Sequence, residues 1–141
     1  MSRSTPQQSG VLYEVNIRVL EEIADEYESW LDDHIQELLR IDGFESADWF
    51  VIEEDTEAQK IEDALRQAVR LDESIPAEIR EAAANPVRTR LYCVQYRLRD
   101  AEAFDHYLRY HAEQMRRQGI DRFGSKFAAT RRLMTLRESY H

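Results

Sequence analysis

Two stretches of this chain match each other, residue class by residue class, in an order that few folds accommodate. Tyr13-Glu14-Val15-Asn16-Ile17-Arg18-Val19 aligns with Tyr92-Cys93-Val94-Gln95-Tyr96-Arg97-Leu98, and Trp30-Leu31-Asp32-Asp33-His34 aligns with Tyr107-Leu108-Arg109-Tyr110-His111, at offsets of 79 and 77 residues. A strand-like segment followed by a helix-like aromatic-Leu-x-x-His segment therefore occurs twice in the same sequence order. A doubled βαβ unit follows. Its simplest compact form is the α+β, ferredoxin-like split βαβ arrangement, a four-stranded antiparallel sheet with two helices on one face. Right-handed crossovers set the two repeat strands side by side in the middle. The same reading expects those central strands to be parallel neighbours, and likewise the two helices. His34 and His111 would then lie at similar depth and face each other.

The rest of the chain supplies the elements this arrangement needs. Val11 to Leu20 alternates, with Tyr13, Val15, Ile17 and Val19 on one face and Glu14, Asn16 and Arg18 on the other, which predicts a half-buried strand. From Glu21 to Ile41, apolar residues recur at spacings of three and four, predicting an amphipathic helix that ends near Gly43. Phe44 to Glu53 is apolar on both sides at Trp49-Phe50-Val51-Ile52 and predicts a strand covered on each face. Residues 55–87 read as a helical insertion between strands two and three, with a second short helix opened by Pro76. Arg88 to Arg99 alternates again. Asp100 is placed to cap a helix that fades near Gly119, with Ile120, Phe123 and Gly124 as its exit turn, and Phe127 to Arg137 is the last strand.

With 141 residues, one core is enough, and neither disulfides nor metals are needed to hold it. The expected organisation is a disordered N-terminal stub over residues 1–10 and one domain over 11–141. That stub, Met1 to Gly10, is polar and lacks the apolar run of a signal peptide, so a cytoplasmic, soluble protein with no membrane span is expected. Charge is unevenly placed. Residues 21–63 carry 17 acidic and 2 basic side chains, a balance of −15, whereas residues 87–137 carry 12 basic and 5 acidic ones, a balance of +7. Arg88, Arg90, Arg97, Arg99, Arg116, Arg117, Arg131 and Arg132 could form a polyanion-binding face. Complementarity between the two halves, or between two copies, is the plainer explanation, and nucleic acid is disfavoured as a partner.

No nucleotide fingerprint or nucleophile elbow is present, because Gly10, Gly43, Gly119 and Gly124 are isolated and no Gly-x-Ser-x-Gly occurs. Cys93 sits in mid-strand and reads as a structural or sheet-surface thiol. The ligand spacings His-x-Glu and Cys-x-x-Cys are missing, so neither metal nor cofactor is expected. What remains are His34 and His111, each four residues after an aromatic, with Tyr92, Tyr96 or Tyr107 hydroxyls nearby. These are groups able to give and take protons near neutral pH, but they serve equally well as hydrogen-bonded residues at the edge of the core. No catalytic residue can be assigned.

Tyr13-Glu14-Val15-Asn16, Trp30-Leu31-x-x-His34-Ile35 and Arg122-Phe123-Gly124-x-x-Phe127-x-x-x-Arg131-Arg132 together resemble a bacterial family of short proteins known as a domain of unknown function. The resemblance covers residues 11–54 and 88–138 and leaves out 55–87, where family members have a shorter loop. That family is similar in turn to the dimeric α/β-barrel group, which includes cofactor-free monooxygenases, isomerases and small-ligand binders. The resemblance implies a homodimer and a pocket between sheet and helices, with Asn16, Trp30, His34, Tyr96, Tyr107, His111 and Arg131 as pocket candidates, but it assigns no reaction. The leading expectation is a dimeric small-molecule-binding or accessory module. Alternatives are a cofactor-independent isomerase or monooxygenase, with His34 or His111 as base and Tyr96 or Asn16 orienting an enolate, and a protein-interaction domain that uses residues 56–85. The open sheet face needs a cover, from either the insertion or a second copy, and the second copy is favoured.

Overall fold

A computed structural model of the protein describes residues 10–53, 55–85 and 87–141. Except for Gly10, the expected N-terminal stub lies outside the described residues. The elements are β1 (Val11–Leu20), a 3-10 turn (Glu21–Ile23), α1 (Ala24–Leu38), β2 (Phe44–Val51), α2 (Thr56–Leu71), α3 (Ala77–Ala84), β3 (Thr89–Leu98), α4 (Ala101–Tyr110), α5 (Ala112–Phe123), a second 3-10 turn (Gly124–Lys126) and β4 (Phe127–Thr135).

The four strands form one sheet in the order β2-β3-β1-β4, with every neighbouring pair antiparallel. This is the ferredoxin-like α+β fold expected from the sequence, but one expectation about it is overturned. The central strands β1 and β3 run antiparallel, not parallel, because each βαβ crossover skips one strand position and the other unit's strand fills the gap. Their register centres on Val15↔Val94, two residues at equivalent places in the matched segments. A two-fold axis through that pair sends the helices following β1 and β3 in opposite directions.

The inner face of the sheet carries Tyr13, Ile17, Val19, Tyr92, Val94, Tyr96 and Leu98, all buried. Tyr27, Leu31, Ile35 and Leu38 of α1, with Ala103, Tyr107, Ala112, Met115 and Phe123 of α4 and α5, close over it. Each fully buried apolar side chain contributes roughly 1.5–3 kcal/mol, so this layer sets the position of everything above it. Gly43 lets α1 turn into β2. Its φ is +96°, and a Cβ there would lie 2.4 Å from the Ala103 Cβ, so both the backbone conformation and the close approach require glycine. Asp100 caps α4 as expected, accepting a hydrogen bond from the Ala103 backbone N–H at 2.8 Å.

The helix after β3 is longer than its pattern suggests, and broken. It continues through Gly119 and Ile120 to Phe123 instead of fading, and it is interrupted at His111, where φ is −131° and ψ −33°. Strand β2 also differs from expectation. Trp49 packs edge-on against Tyr92, with ring centres 5.9 Å apart, but Phe50 and Val51 are about half exposed. As the edge strand it is not covered on both faces within the chain.

Helices α2 and α3 pack on each other and contribute no buried residue to the core. An open cleft of about 640 Å³ lies between α2 and the ends of the strands, bridged by Arg18 and Glu62 at 3.9 Å. The insertion therefore does not roof the outer sheet face, and Ile61 and Leu65 of α2 remain 62% and 64% exposed.

Charge complementarity is met inside one chain. Arg90 of β3 binds Glu21, Asp25 and Glu28, Arg122 of α5 binds Glu26, Arg99 binds Asp42, and Arg132 of β4 binds Glu14. Arg90, Arg99 and Arg132 are thereby drawn out of the polyanion face that the arginine count suggested. No helix among the described residues is long and apolar enough to cross a membrane.

Candidate functional site

Between the inner sheet face and the helices lies a cavity of about 40 Å³, room for a few water molecules before any side chain moves. Its floor is Tyr13, Val15, Ile17, Val94 and Tyr96, one wall is Tyr27, Trp30, Leu31 and His34 of α1, and the opposite wall is Tyr107 with Met115, Arg116 and Gly119 of α5. Ala129 and Arg131 of β4 complete it. Alternation places Phe127, Ala129, Arg131 and Leu133 on the inner side of β4, opposite Val19, Ile17, Val15 and Tyr13. Arg131 thus occupies a position whose neighbours along the strand are apolar.

Of the seven pocket candidates, Trp30, His34, Tyr96, Tyr107 and Arg131 line this cavity together. Asn16 does not. It projects from the outer sheet face, where its Nδ2 donates to Glu14 Oε2 at 3.0 Å. His111 does not either. At the break between α4 and α5 it turns to a shallow surface groove beside Leu108, Arg109 and Tyr110, with its ring 5.6 Å from that of His106. The four-residue spacing from Tyr107 keeps both side chains on one face only if the helix is continuous, and here it is not. The paired-imidazole site expected from parallel helices is absent.

His34 has a different partner. Its ring stacks on Trp30 at 4.5 Å and 19°, and its Nδ1 lies 3.4 Å from Gln118 Oε1. Gln118 Nε2 donates to Glu37 Oε1 at 3.3 Å, which turns the amide oxygen toward the imidazole. In that arrangement Nδ1 carries the proton and Nε2 of the neutral ring is an acceptor. Burial pushes the His34 pKa below its ordinary value, with the Gln118 hydrogen bond opposing.

The tyrosines form a hydroxyl-bearing aromatic layer. Tyr13 stacks on Tyr96 at 5.9 Å and lies 5.8 Å from Tyr107, while Arg116 Nη2 donates to Tyr13 Oη at 3.2 Å. Burial raises the Tyr27, Tyr96 and Tyr107 pKa values far above the free phenol, so these side chains act as neutral hydrogen-bonding groups. Sequence reasoning missed Tyr13, Arg116 and Gln118. Tyr13 was visible as an inward residue of β1. Arg116 was legible only as one member of a candidate polyanion-binding face, and Gln118 carried no signal, because a polar side chain beside Met115 on an amphipathic helix reads as solvated until the helix is placed.

A second polar cluster lies on the outer sheet face. Glu14 is buried there and accepts from Asn16 at 3.0 Å, Gln95 at 3.0 Å and Arg132 at 2.6 Å, which together hold its pKa below the usual carboxylate range. Cys93 sits beside it with its thiol pKa raised, first by burial and then by the Glu14 charge, the opposite of what a nucleophile needs. Among the described residues, no three His, Cys, Asp or Glu side chains gather to hold a metal ion.

The class of protein defined here is a ferredoxin-like α+β fold with a cavity between its sheet and its helices. The chain belongs to the family described as "Domain of unknown function (DUF4286)", whose model matches residues 10–137. That span includes residues 55–87, which the resemblance read from the sequence had left out. No curated protein matches the chain. Among solved structures, the chain is similar to a point mutant of SnoaB, a cofactor-independent oxygenase from Streptomyces nogalater. Identity is 14% over 92% of this chain and 95% of that one, with a TM-score of 0.54. At that identity the likeness is one of fold.

Proposed function

We propose that the protein is a small-molecule-binding module whose ligand site is the cavity between the sheet and helices α1 and α5. The observation carrying this reading is the lining itself. Concave, mostly apolar walls, six of their residues Tyr, Trp or Phe, carry a few polar groups, namely the His34 imidazole, the Tyr13 hydroxyl and the Arg116 and Arg131 guanidinium groups. Such a mixture suits a bound ligand better than a packed core. The test is to replace Ala129, which lines the cavity and is half-buried on edge strand β4, with phenylalanine. A folded Ala129→Phe variant should lose the thermal stabilisation that cavity ligands give the wild type. Equal stabilisation of both proteins would place the ligand elsewhere.

We infer that the module works as a homodimer. The outer sheet face keeps Phe50 exposed, and the insertion leaves that face open, so a second copy is the available cover. Light scattering on the purified chain tests this, and a monomer at micromolar concentration would reject it.

A second reading, a cofactor-independent oxygenase or isomerase, draws on the SnoaB fold likeness and on His34. Neutral His34, oriented by Gln118, would act as base and Tyr96 would orient the resulting enolate. His111 and Asn16 have no part in it. His34→Ala should abolish turnover of any substrate found while Asn16→Ala leaves it intact, and an active His34→Ala variant would remove this mechanism.

A further inference from the structure

We infer that the cavity is built for a small organic carboxylate, gripped by Arg116 and Arg131. This rests on the small-molecule reading above and adds the chemical class of the ligand.

The chain contains more acidic than basic residues, 28 against 19, and most arginines described above have found a carboxylate. Arg90 alone has three. Of the arginines of the suggested polyanion face, Arg88, Arg97, Arg116 and Arg131 have no such bridge among the described residues, and of these four Arg116 and Arg131 line the cavity. Arg131 projects from the inner side of β4 opposite Val15, amid apolar neighbours. Arg116 spends Nη2 on the Tyr13 hydroxyl, while its Nε is buried with no hydrogen-bond partner. A guanidinium nitrogen left unmatched in a protein interior costs free energy, and that cost falls on Arg116, because Arg131 is exposed at the edge of the sheet.

The cavity lining contains no Asp or Glu side chain to offset that cost. An anion entering from solvent would satisfy the idle Arg116 Nε–H, the Arg131 fork and the Tyr13 hydroxyl together. Arginine forks match a carboxylate in bidentate geometry. The remaining lining restricts what can be attached to that carboxylate. Tyr96, Tyr107 and Trp30 present ring faces and edges, so a flat apolar group fits there. With only about 40 Å³ open at rest, the ligand is a compact acid, or the acidic end of a longer one whose tail leaves past exposed Arg131.

The experiment pairs each acid with its neutral amide. Acetate and acetamide, benzoate and benzamide, and phenylacetate and phenylacetamide are titrated into the full chain, with inorganic phosphate as a further anion. Binding is read by calorimetry and by Trp30 emission in a Trp49→Phe background. At least one carboxylate should bind ten-fold or more tightly than its amide and than phosphate. Arg131→Gln should weaken that carboxylate at least ten-fold, and Arg116→Gln similarly, whereas Arg117→Gln, on the outer side of the same helix, leaves it unchanged. Acid and amide binding equally would overturn the anion assignment while leaving the cavity as a ligand site. No response from any member would overturn both. If Arg116→Gln unfolds, Arg131→Gln at an exposed edge position still decides the matter.

Discussion

Replacing Tyr92 by phenylalanine removes one hydroxyl and leaves the packing almost untouched, which makes it a clean measure of the polar layer joining α1 to β3. Tyr92 is fully buried, and its ring stacks parallel to Tyr27 at 6.5 Å. Its hydroxyl donates to Glu28 Oε2 at 2.5 Å, and Arg90 Nη1 donates to the same oxygen at 2.7 Å. A hydrogen bond to a charged group is worth about 1.5–3 kcal/mol net. Glu28 keeps Arg90 and is 36% exposed in its side chain, so water recovers part of the loss. The expected destabilisation at neutral pH is therefore about 1–2 kcal/mol, or roughly 3–8 °C in melting temperature for a chain of this size.

The pH dependence of this difference is the sharper test. Burial first, and the Glu28 hydrogen bond second, push the Tyr92 pKa up to about 12, above its unfolded value of about 10. The neutral phenol is thus favoured in the folded state. That stabilisation is complete below about pH 10 and is lost as pH rises through about 12. The Glu28 pKa is lowered, chiefly by the Tyr92 hydrogen bond. Its contribution is complete above the unfolded value of about 4.3 and is lost as pH falls through the lower folded one. Urea unfolding of both proteins at pH 4, 7 and 10.5, with unchanged m-values, should show the gap widest at pH 7 and narrower at both extremes. A Tyr92→Phe variant as stable as wild type at pH 7, or a gap constant from pH 7 to 10.5, would refute the reasoning.

Replacing residues 54–88 with a four-residue turn should cost less than about 1 kcal/mol, because α2 and α3 bury no core residue and β2 and β3 are already antiparallel neighbours. Urea unfolding of the shortened chain measures it, and failure to fold would show that the arm supports the sheet. Protonation of His34 should change Trp30 emission in a Trp49→Phe background with a midpoint below the ordinary histidine value of about 6.5, since burial disfavours the charged ring. Stability should correspondingly fall as pH drops from about 6.5 toward that midpoint, and should lose that dependence in His34→Gln. Gly43→Ala should destabilise by about 2–4 kcal/mol, combining a positive φ with the Ala103 contact. Ala103→Gly in the same chain should relieve the contact part, and strict additivity in the double-mutant cycle would show that the two sites do not touch.

The elements themselves were legible where a local rule governs them. The alternation from Val11 to Leu20 marks β1 from end to end, and Asp100 caps α4 as its side chain and position suggest. Five of the seven pocket candidates share the cavity because each sits on an inward face fixed by period two or period 3.6. Asn16 is the opposite case. Its own alternation with Tyr13 and Val15 already put it on the outer face, and the family resemblance drew it into the pocket against that pattern. His111 was lost to a break that no proline or glycine announces.

Periodicity acts over a few residues, so the sequence by itself determined which segments are strands and helices and which side of each is apolar. The two-fold match between Val15 and Val94 likewise marked the strands that would meet at the centre. Direction and company were decided only by tertiary structure. Antiparallel pairing of β1 and β3 follows from how the two crossovers interleave, a constraint between residues 79 positions apart that no local pattern encodes. The same packing set Gln118 against His34 and left Arg116 and Arg131 facing one cavity with no acid between them. A charged side chain reads identically in sequence whether water or a closed pocket surrounds it, and only the assembled layers distinguish the two.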